Sequence, residues 1–303
     1  MGFYSPATLV QDARRHGVTV LGPSVNDSFL DTGVQCAPGV PGEQEYREGR
    51  PDPLPSRQAI PLDVDEELVV RIGLSSVRGL GRAAERIVRV RETGAFSSQA
   101  DLANRAHLSA SDMECLAMAG ALECLGVGRR EGTWAAGALA APTARQGEWQ
   151  PFLPGTEVGT RVPDLPPLTR TEQMRADIEA TGLTPGEHPF SYLRADLQPG
   201  VLRAAELGAH LDGRIVDVAG LVTHRQRPHT GGGVTFLSLE DESGFVNVSV
   251  AVGTWNKFRR IGLESGALLV RGTLEWGDGA VNVRAFRLAP VRLPIQVRSR
   301  DFR

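Results

Sequence analysis

The sequence predicts an α+β multidomain protein in which a helical region is followed by a five-stranded β-barrel. The first observation is a Gly-rich turn within the helical stretch 72–88, which reads IGLSSVRGLGRAAERIV. The second is a change of hydrophobic periodicity at Gly213, from helical spacing to the alternation typical of half-buried strands. The third is a series of Pro residues within 142–168, which interrupts the helical pattern and predicts a linker.

Helices are predicted on both sides of the Gly-rich turn. Ser5 is a good N-cap and Gly17 a good terminator, so residues 5–16 are predicted to form a helix. The same reasoning predicts further helices over 98–106, 109–122, 129–141, 169–180 and 189–197. Short strands are predicted over 18–21 and 68–72, and the Pro- and Gly-rich residues 31–61 are predicted to form a loop or linker.

The strands of the predicted barrel follow Gly213. They are predicted over 214–223, 234–239, 245–252, 268–276 and 281–288. A single short helix, 254–261, lies between the third and fourth strands, and this order of elements is that of the OB-fold. The predicted segments are 1–70, the helical region 71–141, a Pro-rich linker and helical connector 142–209, the barrel 210–292 and a loosely ordered basic tail 293–303.

Charge and cysteine content limit the class of protein. The formal net charge of −3 over 303 residues argues against a globally basic nucleic-acid binder, so any binding surface must be local. Residues 71–91 provide such a cluster, with six Arg and one acid, Glu85. The three cysteines are too few and too scattered for a disulfide framework, and no signal peptide or membrane span is evident. We therefore expect a reduced, cytoplasmic protein without membrane contact.

The Gly-rich turn is the first candidate site. Gly79 and Gly81 can adopt positive φ, and a tight turn before a helix directs free backbone N–H groups outward. Those groups and the helix dipole favour an anion such as a phosphate. The pattern is that of a helix-hairpin-helix motif, although similar turns occur in many proteins that do not bind DNA. The candidate residues are Val77, Arg78, Gly79, Leu80, Gly81, Arg82 and Arg86.

The barrel is the second candidate site. Proteins that bind single strands combine a basic groove with aromatic side chains on which bases stack. The candidate residues are Arg225, Arg227, Phe236, Trp255, Lys257 and Arg284. The alternative for Phe236 and Trp255 is a place in the barrel core.

Catalytic and metal-binding patterns are not evident. The acids Glu240, Asp241 and Glu242 are consecutive and cannot all converge on one cation, and the six His residues match no zinc spacing. The sequence also offers no pair of acids of the kind that two-metal phosphoryl transfer requires. We therefore assign no catalytic residue, metal ligand or cofactor. The segment 150–153, QPFL, weakly matches a peptide that docks on a sliding clamp, and a plain linker is the alternative.

Several motifs in this order resemble the C-terminal part of a bacterial C-family DNA polymerase, the polymerase III α-subunit type. They are FYSPATLVQDARRHGVTVLGPSVNDS, IGLSSVRGLGRAAERIV, AMAGALECLG and VTFLSLEDESGFVNVSV. RREGTWAAGAL and TGLTPGEHPFSYLR are more similar to the error-prone, damage-inducible branch. The resemblance implies that residues 1–70 end the fingers region. It also implies that the palm, with its catalytic aspartates and Mg²⁺, is absent from this sequence, so the chain alone is expected to be inactive.

The resemblance implies a function in translesion synthesis and repair after DNA damage. The chain would hold duplex DNA through the hairpin and single-stranded template through the barrel. A catalytically inactive translesion-polymerase-like accessory protein and the sliding clamp are the partners that it implies. The alternative is a stand-alone, non-catalytic module that binds DNA or another protein of the mutagenesis machinery. We also regard this chain as a fragment or split product of a longer polymerase, as an expectation from the resemblance.

Overall fold

The computed structural model describes residues 5–36, 68–139, 163, 165–228, 232–277, 280–292 and 300–302. The chain divides into two units, 1–186 and 187–303. The predicted connector, 142–209, is shared between them, because part of it packs with the helices and part with the barrel. The clamp-like segment 150–153 lies outside the described residues.

The first unit contains six helices among its described residues. They are α1 (Pro6–Arg15), α2 (Arg82–Arg91), α3 (Gln99–Ala106), α4 (Ala110–Met118), α5 (Arg129–Leu139) and α6 (Arg170–Thr181). Local sequence fixes their starts. Ser109 and Thr169 each accept a hydrogen bond from the N–H group three residues on, and the acid at that position bonds back to the cap. These capping boxes were recognisable as Ser or Thr followed three residues later by an acid.

A small sheet accompanies the helices. Its strands are β1 (Thr19–Leu21), β2 (Gly33–Cys36) and β3 (Leu68–Arg71), in the order β1-β3-β2. Strand β3 runs parallel to β1 and antiparallel to β2. Strand β2 falls within the segment predicted as a loop or linker, which is a correction: four residues with one Gly carry too little alternation to be recognised as a strand.

The core of the first unit lies between α2, α3, α4 and α5. Its largest fully buried side chains include Leu74, Ile87, Leu102, Met113 and Leu116. These residues recur at helical spacing on the inner faces of their helices, which is why the sequence pattern predicts the helices correctly. Val77 and Leu80 join the same core from the Gly-rich turn, so apolar contacts fix the turn on α2.

The barrel dominates the second unit. Its strands are β5 (Ile215–Gln226), β6 (Thr235–Asp241), β7 (Gly244–Val250), β8 (Ala267–Gly277) and β9 (Ala280–Pro290), and helix α7 (Val252–Glu264) lies between β7 and β8. The order β5-β6-β7-β9-β8 closes through pairing of β5 with β8. The predicted five-stranded OB-type barrel after a helical region is therefore confirmed.

The residues before the barrel pack on its outer wall. Leu193 and Leu197 lie in and after the 3₁₀ segment Ser191–Asp196, and with Phe190 they cover Ala219 and Leu221 of β5. A short strand, β4 (Val201–Leu202), also pairs with β5. The second unit therefore begins before the predicted barrel boundary at residue 210.

The end of the chain forms one more strand. Strand β10 (Arg300–Phe302) runs parallel to His224–Gln226 of β5, beyond the point where β8 stops pairing with β5. The prediction of a loosely ordered tail was wrong for these three residues, because an unused edge of β5 offers them backbone partners.

Candidate nucleic-acid interface

The Gly-rich turn has the conformation that the sequence predicts. Gly79 has φ 84° and Gly81 has φ 49°, and both are exposed. Gly81 is the N-cap of α2 and its φ and ψ (49° and −129°) are accessible to few residues other than Gly. The element before the turn is a single 3₁₀ turn, Leu74–Ser76, and not the predicted helix.

The turn presents unused backbone donors. The N–H groups of Gly79, Gly81 and Arg82 donate no hydrogen bond to any residue of the described chain. Neighbouring N–H groups are used: Leu80 donates to Val77 at 3.3 Å and Ala83 donates to Leu80 at 3.0 Å. Three exposed donors at the positive end of a helix dipole form an environment that favours an anion.

Arg78 lies at the turn but contacts protein. Its Nη1 donates to the carbonyl oxygens of Ile178 at 3.1 Å and Glu179 at 3.0 Å, and its own N–H donates to Ala180 at 2.8 Å. These oxygens belong to the last turn of α6, where carbonyls lack helical partners. Arg78 therefore fastens α6 to the turn, in place of the expected phosphate contact.

Arg86 is engaged in a similar way. Its Nε donates to the carbonyl oxygen of Ala106 at 3.1 Å, at the end of α3, and its Nη2 lies 3.8 Å from Asp112 Oδ2. Arg82, by contrast, is exposed and makes no ion pair or hydrogen bond with the described residues. Arg89, seven residues later, is exposed on the same face of α2, so helical spacing would have identified it as a second cation on that face.

Two predicted barrel residues are internal. Arg225 is 7% exposed, and it donates from Nε to the Gly262 carbonyl at 2.7 Å and from Nη2 to that of Ser265 at 2.6 Å. Trp255 is 4% exposed and packs in the barrel core. Both assignments are therefore corrected. Arg225 binds the carbonyl oxygens at the end of α7, and Trp255 belongs to the barrel core, which was the alternative for this residue.

The other predicted barrel residues are on the surface. Phe236 is 42% exposed on β6, and Arg227 is exposed just after β5. Lys257 is exposed on α7, with Nζ 5.3 Å from the centroid of the Phe258 ring. Arg284 on β9 is exposed, with Nε 2.8 Å from Glu275 Oε1. Of the six residues predicted in the barrel, three cations and one aromatic ring therefore lie at its surface.

The register shows polar residues that sequence reasoning missed. Asn247 pairs with Asn282, and Ser249 lies opposite both Phe236 and Arg284. Asn282 Nδ2 donates to Ser249 Oγ at 3.0 Å. The alternation in FVNVSV could have identified Asn247 and Ser249 as surface residues, because residues between buried valines on one strand must face outward.

A cavity of about 460 Å³ in the first unit offers a weaker candidate site. Among its lining residues, Arg129 Nη2 lies 2.7 Å from Asp177 Oδ1, and Arg71 Nη1 donates to the Gly22 carbonyl at 3.2 Å. Burial raises the pKa of Asp177, although Arg129 acts in the opposite direction. The charged side chains here are thus paired with protein groups, which is typical of a structural junction.

Metal sites and membrane spans were searched in the described parts of the chain. There, no three His, Cys, Asp or Glu side chains converge as a metal site would require. Asp241 instead closes its own turn, accepting bonds from the N–H groups of Ser243 and Gly244 at 2.8 and 3.0 Å. None of the helices there has the length and apolarity needed to cross a bilayer.

Comparison with known proteins identifies relatives of the whole chain. A family model described as "Helix-hairpin-helix motif" matches residues 17–132. Proteins named "Error-prone DNA polymerase" from Mycolicibacterium paratuberculosis and Mycobacterium tuberculosis are each 44% identical to this chain over its full length. The homologous protein of Nocardia farcinica is 42% identical.

The chain spans about a quarter of these relatives, namely 25%, 25% and 24% of their lengths. The matched part is their C-terminal quarter. The chain therefore corresponds, over its full length, to the C-terminal quarter of proteins named error-prone DNA polymerase.

Proposed function

We propose that this chain is the DNA-binding C-terminal portion of an error-prone DNA polymerase, with the hairpin on duplex DNA and the barrel on single-stranded template. The observation that carries the proposal is the exposed turn at the start of α2, where three N–H groups and the Arg82 side chain have no partner among the described residues. Such a turn binds the phosphate backbone and reads no base, so we expect binding that is independent of sequence.

The remaining parts of the proposal come from the relatives and from the resemblance. We propose a cytoplasmic, damage-induced protein that acts in translesion synthesis with an inactive polymerase-like accessory protein and the sliding clamp. Nucleotide transfer would belong to the palm aspartates with Mg²⁺. The part described here would supply positioning: it holds the two DNA strands relative to that centre through electrostatic contacts.

Charge reversal at the turn tests the hairpin contact. We expect Arg82→Glu to weaken binding of the chain to a short duplex by about tenfold or more at 0.1 M salt, because it removes one phosphate contact and adds repulsion. The slope of log K against log salt should become shallower by about one. Fluorescence anisotropy with a labelled duplex across a salt series would measure both quantities.

Arg170→Glu is the matched control. Arg170 is also exposed at the first position of a helix, α6, but there a capping box uses the N–H groups of Thr169 and Glu172 and places the Glu172 carboxylate at the helix start. We expect it to change duplex affinity by less than threefold, as a distant surface charge does. Equal losses in the two variants would contradict a specific site at the turn.

The backbone conformation of the turn gives a test that leaves charge unchanged. An added Cβ at Gly81 meets no atom within 4 Å, so Gly81→Ala acts only through its unfavourable φ and ψ. We expect the N–H groups to be displaced and duplex affinity to fall about fivefold or more. Gly17→Ala is the control, since Gly17 also has positive φ and open space but lies outside the turn. A Gly81→Ala protein with wild-type affinity would show that the N–H groups do not contact DNA.

A further inference from the structure

One row of side chains crosses the outer wall of the barrel. Residues that lie opposite each other on paired strands share one side of a sheet. Phe236 on β6 is opposite Ser249 on β7, and Ser249 is opposite Arg284 on β9. The row continues to Thr273 on β8 and Ile215 on β5. The alternate residues of these strands fill the core, so the row faces outward.

An irregularity in β9 adds a second ring to this wall. The register pairs Gly272 with Ala285 but Arg271 with Arg287, so Phe286 has no opposite residue. A β-bulge of this kind redirects a side chain and is frequent at functional sites. Phe286 is 44% exposed, and Arg287 beside it is exposed and makes no ion pair with the described residues. The bulge thus places an aromatic ring on the surface with a cation next to it.

Arg284 lies between the two rings. Measured between backbones along the barrel wall, Arg284 is two strand spacings, about 10 Å, from Phe236 and two residues along β9, about 7 Å, from Phe286. Its Nε is held by Glu275, while its two Nη groups donate to no residue in the described chain. Glu275 therefore orients the guanidinium and leaves its outer edge for another acceptor.

We propose that Phe236, Arg284 and Phe286 bind one single strand of nucleic acid as a unit, with bases stacked on the two rings and a phosphate on Arg284. The inference rests on the proposed function and names the residues and the ligand of its barrel site. Bases of a duplex are already stacked on each other, so the rings select an unpaired strand. Stacking does not depend on base identity, so the site tolerates any template sequence.

The proposal is tested by titrating the full chain with a labelled oligothymidylate. We expect Phe236→Ala and Phe286→Ala each to weaken binding by about tenfold, because each removes one stacking surface. Arg284→Gln should weaken binding and make the salt slope shallower by about 0.7, the value for one contact on a single strand. Both rings are exposed, so the unfolding midpoint should stay at the wild-type value, which circular dichroism would verify.

Trp276→Ala is the matched control. Trp276 is 40% exposed on β8, but it is one residue out of phase with the outward row. We expect it to leave the affinity for the oligonucleotide unchanged.

Two results would overturn the proposal: wild-type affinity in Phe286→Ala, or an equal loss in Trp276→Ala. In either case, a loss of duplex affinity in Arg82→Glu would show that the hairpin part of the proposed function stands. If Arg82→Glu left duplex affinity unchanged while the ring variants lost affinity for the oligonucleotide, the hairpin part of the proposed function would be contradicted and the barrel site would stand.

Discussion

Gly73→Ala is expected to destabilise the first unit by about 3 kcal/mol. A Cβ at this position would lie 2.3 Å from the Asp31 carbonyl carbon and 2.5 Å from the Leu30 oxygen. Both are backbone atoms, which cannot rotate away as a side chain does, so the loop and the start of the hairpin must separate. Hydrogen exchange at 28–32 and 72–77 in the full chain would measure the opening free energy locally.

The position of Gly73 explains why the effect should be local. Ser28 Oγ donates to the Ile72 carbonyl at 2.8 Å and Leu74 donates to the Phe29 carbonyl at 3.0 Å, so the two segments are joined on both sides of Gly73. Gly137→Ala is the control with the opposite sign. Gly137 lies in α5 with open space around it, and Ala there should stabilise the unit by about 0.5–1 kcal/mol. If Gly73→Ala left the local opening free energy unchanged, the close approach of Gly73 to the backbone of Leu30 and Asp31 would be wrong.

Arg225→Leu is expected to destabilise the barrel unit by about 2–4 kcal/mol. The substitution leaves the carbonyl oxygens of Gly262 and Ser265 without their donor in a buried place, where an unmet acceptor is costly. Urea unfolding followed by tryptophan fluorescence would report on this unit in a background where Trp134, Trp149 and Trp276 are replaced by Phe, so that only the buried Trp255 emits.

Arg227→Leu provides the comparison for Arg225→Leu. Arg227 is two residues further along the chain and is exposed. The free energy of unfolding of Arg227→Leu should therefore stay within about 0.5 kcal/mol of wild type. If the two variants were equally stable, the internal role of Arg225 would be wrong.

Some features of the fold and of the candidate site were predictable from the sequence, and others were not. Alternation after Gly213 predicts the barrel strands correctly, because a closed sheet needs one apolar side on every strand. The positive φ of Gly79 and Gly81 was also predictable, because a turn this tight before a helix favours residues without a Cβ. Both features depend on residues that are neighbours in sequence.

The roles of the arginines were not predictable in the same way. A guanidinium has five donors and binds carbonyl oxygens as readily as phosphate oxygens. Arg78 is 100 residues from the Ile178 carbonyl that it binds, and Arg225 is 37 from Gly262. Such partners are set by tertiary packing. The short strands β2 and β10 were missed for a similar reason, since they exist only through pairing with distant strands.

The use of arginine at helix ends has a consequence for how this protein tolerates change. The carbonyls that end α2, α3, α4, α6 and α7 are bound by Arg105, Arg86, Arg129, Arg78 and Arg225. Each of these contacts relies on a flat, forked group, and an ammonium of equal charge has no such fork. Replacement of these arginines by lysine would therefore preserve the net charge of the chain but weaken the hydrogen bonds at its helix ends. The identity of the cation matters here more than its charge.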